Sequence, residues 1–342
     1  MERNIRRRVF DQVYPKLEYV QMTNVCLPCP PGMLNYVKRL TIDVVPRLRP
    51  LISEELLSML ALCDHLEEFS LRFTDEWARV ENSSAPISPQ IVFLRHLRHL
   101  DITALYSVSL IEWLDHLSLP GLTIFDYHGL CDPSSQIPSI PSSLVSKYDE
   151  FLVTLSEKYF QSQLASRTMA ELSVNVHLGF HADYPCHDAI YFVFRGVFSH
   201  LTSFTVVLDT PTHYPVDTQG ARLNWVEVFS ELPVLHELTI GGREFNPGCA
   251  VLARTVLFAL SKNDFTSTPA CPDLRELTVV KIPLSLGPRR TDWVFTSLLT
   301  CVANRNSRDT RIAKLDISHC LRMSAKLITE LMGFVDDLIW TL

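Results

Sequence analysis

The chain has 342 residues, 47% of them hydrophobic, and a formal net charge of −7. The apolar fraction is enough for a continuous core, and the negative charge excludes a general electrostatic attraction to nucleic acid. No apolar run reaches the ~18 to 20 residues that cross a bilayer, and the N-terminus lacks the apolar segment of a signal peptide. The sequence therefore predicts a cytoplasmic or nuclear protein that binds neither nucleic acid nor membrane.

Residues 1–16 precede the first regular pattern and include one candidate helix over 5–14. We expect them to be a short cap or the remnant of a longer domain. Cys26 and Cys29 follow with the C-x-x-C spacing of a zinc or redox pair, but no second pair lies within the usual distance. The neighbouring prolines and Gly32 are typical of a turn, so no metal site is expected. Most of the nine cysteines are expected to be reduced core residues.

From residue 17 to residue 342 the chain is dominated by a repeat with the spacing apolar-x-x-apolar-x-apolar. In "LRELTV" (274–279), Leu277 and Val279 alternate with polar residues, which is the period of a strand with one buried face. The pattern occurs about ten times, with copies that begin at Leu17, Val37, Leu66, Leu97, Leu122, Met169, Leu201, Leu235, Leu274 and Ile312.

The segments between the copies are predominantly amphipathic. They predict helices within 50–65, 107–118, 188–200, 248–263, 292–304 and 324–339. The longest interval is expected to contain an insertion at 131–165, with a further helix over 142–160. A strand followed by a helix in each repeat predicts a curved α/β solenoid, with parallel strands on the concave face and helices on the convex face. A doubly wound α/β sheet is the alternative, but its strands would be apolar on both faces.

No pattern of catalytic residues is present. The chain lacks the nucleotide-binding glycine motifs and the common hydrolase, protease and kinase signatures. The densest group of potential ligands comprises His177, His181, Asp183, Cys186 and His187, which we interpret as polar loop residues. The sequence predicts a protein that is not an enzyme and that has no cofactor.

The repeated core resembles the leucine-rich repeat in its long, ribonuclease-inhibitor-like form. More narrowly, "YPKLEYV", "CPDLRELTV", "LCDHLEEFSL" and residues 302–340 resemble the C-terminal repeat regions of fungal F-box proteins. The resemblance implies substrate recognition within a cullin ubiquitin ligase, whose adaptor binds the F-box. Because the first repeat begins at Leu17, the sixteen preceding residues cannot hold an F-box. A free-standing repeat scaffold without a ligase role is therefore the alternative.

The expected binding surface is formed by residues that flank the buried apolar positions of each strand. Acidic residues outnumber basic ones among them by eight to three, which predicts a negative surface that attracts a basic segment of an unknown protein. The charged candidates are Arg39, Asp43, Glu68, Arg72, Asp101, Asp126, Glu171, Glu237, Glu276, Lys314 and Asp316.

Overall fold

The protein divides into two compact units. Unit 1 comprises Met1–Leu144 and Met169–Gly179, and unit 2 comprises Val145–Thr168 and Phe180–Leu342. The computed structural model describes residues 17–23, 34–44, 51–73, 80–81, 91–105, 114–131, 150–155, 159–166, 173–180, 198–209, 225–245, 247–261, 270–284, 293–321 and 325–340.

Unit 1 is built on five parallel strands that lie side by side in chain order. Its main sheet has the order β1-β2-β4-β7-β9, with β12 beside β9. These strands are β1 Tyr19–Thr23, β2 Arg39–Val44, β4 Glu68–Phe73, β7 His99–Leu105, β9 Ile124–Cys131 and β12 Ser173–Phe180. The connecting elements are β3 Leu51–Ile52, α1 Ser53–Leu60, β5 Val80–Glu81, β6 Val92–Phe93, a 3-10 turn at Leu114–His116 and β8 Leu117–Ser118.

Unit 2 contains both parallel strands and longer helices. Its strand order is β11-β10-β13-β14-β15-β16-β17. The strands are β10 Glu150–Leu155, β11 Tyr159–Ala165, β13 Ser203–Leu208, β14 Glu237–Gly242, β15 Glu276–Pro283, β16 Lys314–Leu321 and β17 Asp337–Ile339. The helices are α2 Trp225–Ser230, α3 Pro247–Ser261, α4 Trp293–Asn306 and α5 Ala325–Met332, with a 3-10 turn at Phe198–His200.

The repeat predicted from the sequence coincides with the strands. In nine of the ten copies the strand begins two residues after the first apolar residue; the start of the copy at Met169 lies outside the described residues. The same position of each copy is paired across neighbouring strands, as in Glu237↔Glu276 and Glu276↔Lys314. The apolar positions are buried, with Leu238 and Leu277 no more than 1% exposed. A mixed α/β fold with parallel sheets is thus confirmed.

Several copies also begin with a turn that the sequence pattern alone did not reveal. The N–H of the first apolar residue donates to the carbonyl three residues earlier, at 3.2 Å for Leu66 to Cys63 and 3.1 Å for Leu274 to Cys271. Leucine occupies that earlier position in other copies, as at Leu94 and Leu232, and the residue is buried in all four. Cys63 and Cys271 therefore replace leucine as small core residues, and Cys249, Cys301 and Cys320 are buried thiols as well.

The connectors differ from prediction in unit 1. Helix α1 confirms the first predicted helix, but the described part of 107–118 is a 3-10 turn followed by β8, which pairs with β6. The prediction of an α-helix there is wrong for residues 114–118. The repeat that begins at Leu97 has 25 residues, against 39 and 38 for the repeats that contain α3 and α4. A shorter connector leaves less chain for a helix and its two loops.

The helix predicted over 142–160 is also wrong where the chain is described, because β10 and β11 form an antiparallel pair there. Strand β10 pairs in parallel with β13 and matches Glu150 to Ser203, which is the register of the repeats. The segment "YDEFLV" (148–153) has the repeat spacing as well. Residues 150–155 are thus one more repeat strand within the region predicted to be an insertion.

The C-terminal helix is shorter than predicted. Helix α5 ends at Met332, and residues 337–339 form β17, which pairs Lys314 of β16 with Asp337. The segment "VDDLIW" (335–340) is another copy of the repeat, and its first residue, Val335, is 4% exposed. Helices α3 and α4 confirm the predictions for 248–263 and 292–304. The predictions for 5–14 and 188–197, and the Cys26–Cys29 turn, lie outside the described residues.

Candidate functional site

The strands of unit 1 place every second side chain on a polar face opposite the core. In β2, for example, Arg39, Thr41 and Asp43 are accessible, whereas Leu40 and Ile42 are buried. Strand pairing aligns these side chains in three rows: Tyr19, Arg39, Glu68, His99 and Ile124; Gln21, Thr41, Ser70, Asp101 and Asp126; Thr23, Asp43, Arg72, Thr103 and His128. We call these rows the strand face of unit 1.

Cross-strand ion pairs neutralise much of the charge on this face. The Arg39 Nε atom lies 3.2 Å from the Glu68 carboxylate, and Arg72 Nη2 lies 3.4 Å from Asp101. Ser70 links the second pair, because its hydroxyl donates to Asp101 at 3.0 Å and accepts from Arg72 Nε at 3.0 Å. The sequence predicted these four charged residues to lie on one face, but it did not predict that they would neutralise one another.

A histidine that was absent from the predicted set also belongs to this face. His99 Nε2 lies 3.0 Å from Asp126 Oδ2. The hydrogen bond to Asp126 raises the pKa of His99 above its ordinary value, and the nearby Asp101 and Glu68 carboxylates also raise it, whereas partial burial opposes them. Asp43 accepts a hydrogen bond of 2.9 Å from the Gln21 amide. Each predicted charged side chain described in unit 1 therefore has a polar partner.

The strand face of unit 2 has a different composition. We name its three rows the charged row (Ser203, Glu237, Glu276, Lys314 and Asp337), the threonine row (Thr205, Thr239, Thr278, Asp316 and Ile339) and the valine row (Val207, Gly241, Val280 and His319).

The charged row contains an ion pair of its own. Lys314 Nζ donates to Glu276 Oε2 at 3.0 Å, and this bond raises the pKa of Lys314. In the threonine row, Asp316 accepts a bond of 2.9 Å from the backbone N–H of Ser318, which fixes its carboxylate. Just beyond β14, Arg243 pairs with Asp209 at 3.1 Å, and Lys281 Nζ, within β15, donates to the Arg243 carbonyl at 2.6 Å.

Ten of the eleven predicted binding residues lie on these two strand faces, at matching positions of their repeats. The eleventh, Glu171, lies outside the described residues. Sequence reasoning missed His99, Asp337 and the cations Arg243 and Lys281. The position of His99 in the repeat was a sufficient signal, since it matches that of Glu68. Asp337 required recognition of the last repeat copy.

A buried arginine in unit 2 was not predicted from the sequence. Arg305, at the end of α4, is 1% exposed. Its guanidinium donates to the carbonyls of Ala270 at 2.9 Å, Cys271 at 2.8 Å and Thr310 at 3.1 Å. Burial lowers the pKa of Arg305, and burial raises the pKa of the neighbouring Cys271 and Cys301 thiols to about 12. The arginine therefore ties α4 to the turn before β15, and burial keeps both thiols in their neutral form.

Exposed rings form a short stack at the turns of unit 1. The ring centroids of Tyr36 and His65 are 6.1 Å apart, and those of His65 and His96 are 6.0 Å apart. Among the described residues, no group of three or more His, Cys, Asp and Glu side chains is arranged to hold a metal ion. His177 lies in β12, whereas the other members of its sequence cluster lie outside the described residues. No helix in the described part of the chain is long and apolar enough to cross a membrane.

Comparisons with known proteins add little. No family model matches the chain, and no curated protein matches it significantly. Among solved structures, the chain is similar to the crystal structure of the TLR13–ssRNA13 complex at 13% identity and a TM-score of 0.21. The match covers 89% of this chain and 45% of that one, so the chain spans less than half of the solved protein's length. At this TM-score the similarity carries no argument about fold or ligand.

Proposed function

We propose that the chain is a leucine-rich-repeat solenoid that recognises a protein partner through its strand faces. The observation that carries the proposal is the coincidence of the L-x-x-L-x-L copies with parallel strands in one register. Repeats stacked in this way bury a shared core and place one outward-facing residue of each repeat in every row. The resulting surface is broad and preformed, which suits a macromolecular partner.

Fixed side chains support recognition by such a surface. On the face of unit 1, Ser70 and Asp101 hold Arg72 through bonds of 3.0 and 3.4 Å. On the face of unit 2, Glu276 holds Lys314 at 3.0 Å. Side chains that are already ordered lose less conformational entropy when a partner binds, so more of the contact energy contributes to affinity.

A photo-crosslinking amino acid tests the location of the binding surface. It would replace Ser70 or Thr239 on the strand faces, or the exposed Arg254 on α3 as a control. We expect illuminated cells to give discrete crosslinked proteins from at least one face position and none of the same proteins from Arg254. Crosslinks from Arg254 alone, or from none of the three sites, contradict recognition through the strand faces.

The more specific role that we propose is substrate recognition in a cullin ubiquitin ligase, acting in the cytoplasm or nucleus. Its support is the resemblance of residues 302–340 and the other repeat segments to F-box proteins. The test is co-purification of the ligase adaptor with the gene product extended by any in-frame sequence upstream of Met1. Recovery of the adaptor supports the ligase role. Failure to recover it favours a free-standing scaffold and leaves the strand-face proposal intact.

A further inference from the structure

The three rows of unit 2 form a surface with chemically distinct edges. The charged row lies at the start of the strands, the threonine row lies in the middle, and the valine row lies nearer the strand ends. Neighbouring members are matched by strand pairing, as in Thr205↔Thr239 and Thr239↔Thr278. A partner that crosses the strands would therefore meet carboxylates along one edge, and Val207 and Val280 followed by His319 along the other.

The charged edge is negative in total. Its charged members are Glu237, Glu276, Lys314 and Asp337, so three carboxylates accompany one ammonium group. Asp316 adds a further carboxylate in the next row. Carboxylates also outnumber arginines on the face of unit 1, but the third row of that face is polar throughout (Thr23, Asp43, Arg72, Thr103 and His128). A cationic segment is therefore attracted by both faces, and the aliphatic contacts of the valine row favour unit 2 for a segment that also carries aliphatic side chains.

The valine row contains a glycine, which projects no side chain from the strand face. Val207 and Val280 are partly accessible, and Gly241 lies between them in the paired strands. A Cβ atom at Gly241 would lie 2.5 Å from the Val280 carbonyl oxygen and 2.9 Å from the Val280 Cβ. Only glycine fits this close approach, and its lack of a side chain leaves the two valines as the apolar contacts of the row.

The dimensions of the face match a helix. The outer rows are four residues apart along each strand, or about 13 Å, and the four intervals from β13 to β17 span about 19 Å. A helix is about 10 to 12 Å wide with its side chains, and ~13 residues span that length. A helix also satisfies its own backbone hydrogen bonds. An extended segment would need backbone partners that the three threonine hydroxyls of the middle row can supply only in part.

We propose that the strand face of unit 2 binds an amphipathic helix of about 13 residues from a protein partner. Lysine or arginine side chains on one flank of this helix contact the charged row, and aliphatic side chains on the other flank contact the valine row. The helix lies across the strands, over the threonine row. This inference rests on the proposed function and specifies which unit binds and what chemistry the partner presents.

Selection from a phage-displayed library of random peptides of about 16 residues tests the inference with the full chain. We expect the selected peptides to carry basic and aliphatic residues at helical spacing. Synthetic copies of the selected peptides should bind the Thr239→Arg protein about tenfold more weakly, because the arginine blocks the middle row. They should bind the matched unit 1 variant, Ser70→Arg, as tightly as the unaltered protein. Glu237→Gln, which keeps the side-chain size, should weaken binding less and reduce its dependence on salt.

Each other outcome has a defined meaning. Peptides that lose affinity only with Ser70→Arg overturn the inference and leave the proposed strand-face function standing on unit 1. Selected peptides that are acidic, or that bind Thr239→Arg and Glu237→Gln as tightly as the unaltered chain, also overturn it. If Thr239→Arg lowers the melting temperature, the result with Glu237→Gln decides. A library that yields no binder contradicts the inference, while the crosslinking experiment still tests the broader function.

Discussion

Units 1 and 2 use the same strand motif but join successive strands differently. In unit 1 the described connectors include one eight-residue helix and the two-residue parallel pairs β3–β5 and β6–β8. In unit 2, helices α3 and α4 have 15 and 14 residues. The strand register is nevertheless the same type in both, as Arg39↔Glu68 and Glu237↔Glu276 show. The strand motif thus sets the register without requiring one form of connector.

The polar faces differ as well. Unit 1 pairs arginines with carboxylates on neighbouring strands, as in Arg39–Glu68 and Arg72–Asp101. Unit 2 places most of its charge in one row, threonines with Asp316 in the next, and valines with His319 in the third. Equivalent positions in a repeat can therefore form either a surface of paired charges or a surface with a charged row and a valine row, since the backbone accepts different side chains at most outward positions.

Among the substitutions that test this comparison, Arg305→Met should lower the free energy of unfolding most, and the loss should arise in unit 2. The substitution leaves the buried carbonyl of Cys271 and the part-buried carbonyls of Ala270 and Thr310 without their guanidinium donor. Orphaned buried acceptors cost about 1 to 3 kcal/mol each, so we expect a loss of about 4 kcal/mol of unfolding free energy. Chemical denaturation measures the loss, and hydrogen exchange should show it in α4 and β15. The exposed Arg254→Met is the control, and an equal loss there would contradict the assignment.

A matched pair of leucine substitutions tests whether the connectors change the cost of a cavity. Leu100 and Leu238 occupy the same position of the repeat and are 0% and 1% exposed. Helix α3 packs against β14, which carries Leu238. Because a packed helix resists collapse into the cavity, we expect losses of about 3 kcal/mol for Leu238→Ala and about 2 kcal/mol for Leu100→Ala. Equal losses in chemical denaturation would show that the connectors do not control the relaxation.

Gly241→Ala, also in unit 2, should lower the free energy of unfolding by a smaller amount. The added methyl group would contact the Val280 carbonyl oxygen, which belongs to the neighbouring backbone and cannot rotate away. Local strand movement should cost about 1.5 kcal/mol. Thr103 has the corresponding position in unit 1, and Thr103→Ala should change stability by less than about 0.5 kcal/mol. Urea denaturation of the two variants checks the difference, and a stabilised Gly241→Ala protein would contradict the steric argument.

The sequence predicted the strands well because their pattern follows from burial of one sheet face. A shift of one residue would expose Leu277 and Val279 and bury Glu276, so the pattern specifies both strand and register. Two copies were missed. "YDEFLV" begins with tyrosine and lies in a segment whose apolar residues also fit a helical period, and short apolar runs do not distinguish the two. The copy at 335–340 was interpreted as the end of a helix.

The site was predicted less completely because its charge depends on contacts between strands. The Arg39–Glu68 pair joins equal positions of adjacent copies and could have been inferred from their alignment. Arg72–Asp101 and His99–Asp126 are diagonal contacts, which depend on side-chain rotamers. The burial of Arg305 depends on the path of the chain between α4 and β16. In the sequence, a charged residue at the end of a helix is typical of an exposed side chain, so the burial of Arg305 was not predicted.

The smallest expected effect is a pH dependence of stability that arises on the strand face of unit 1. The bond to Asp126 raises the folded-state pKa of His99 above its ordinary value of 6.5. The stabilising contribution of the His99–Asp126 pair is therefore fully present below pH ~6.5, and it is lost as the pH rises through the higher folded-state pKa of His99. Because His99 is more than a third exposed, the change should not exceed about 0.5 kcal/mol. Nuclear magnetic resonance titration should show a lower His99 pKa in Asp126→Asn, and the urea midpoint of this variant should vary less between about pH 6 and 8. An unchanged His99 pKa in Asp126→Asn would contradict the assigned cause, since it would assign the shift to Asp101 and Glu68 instead.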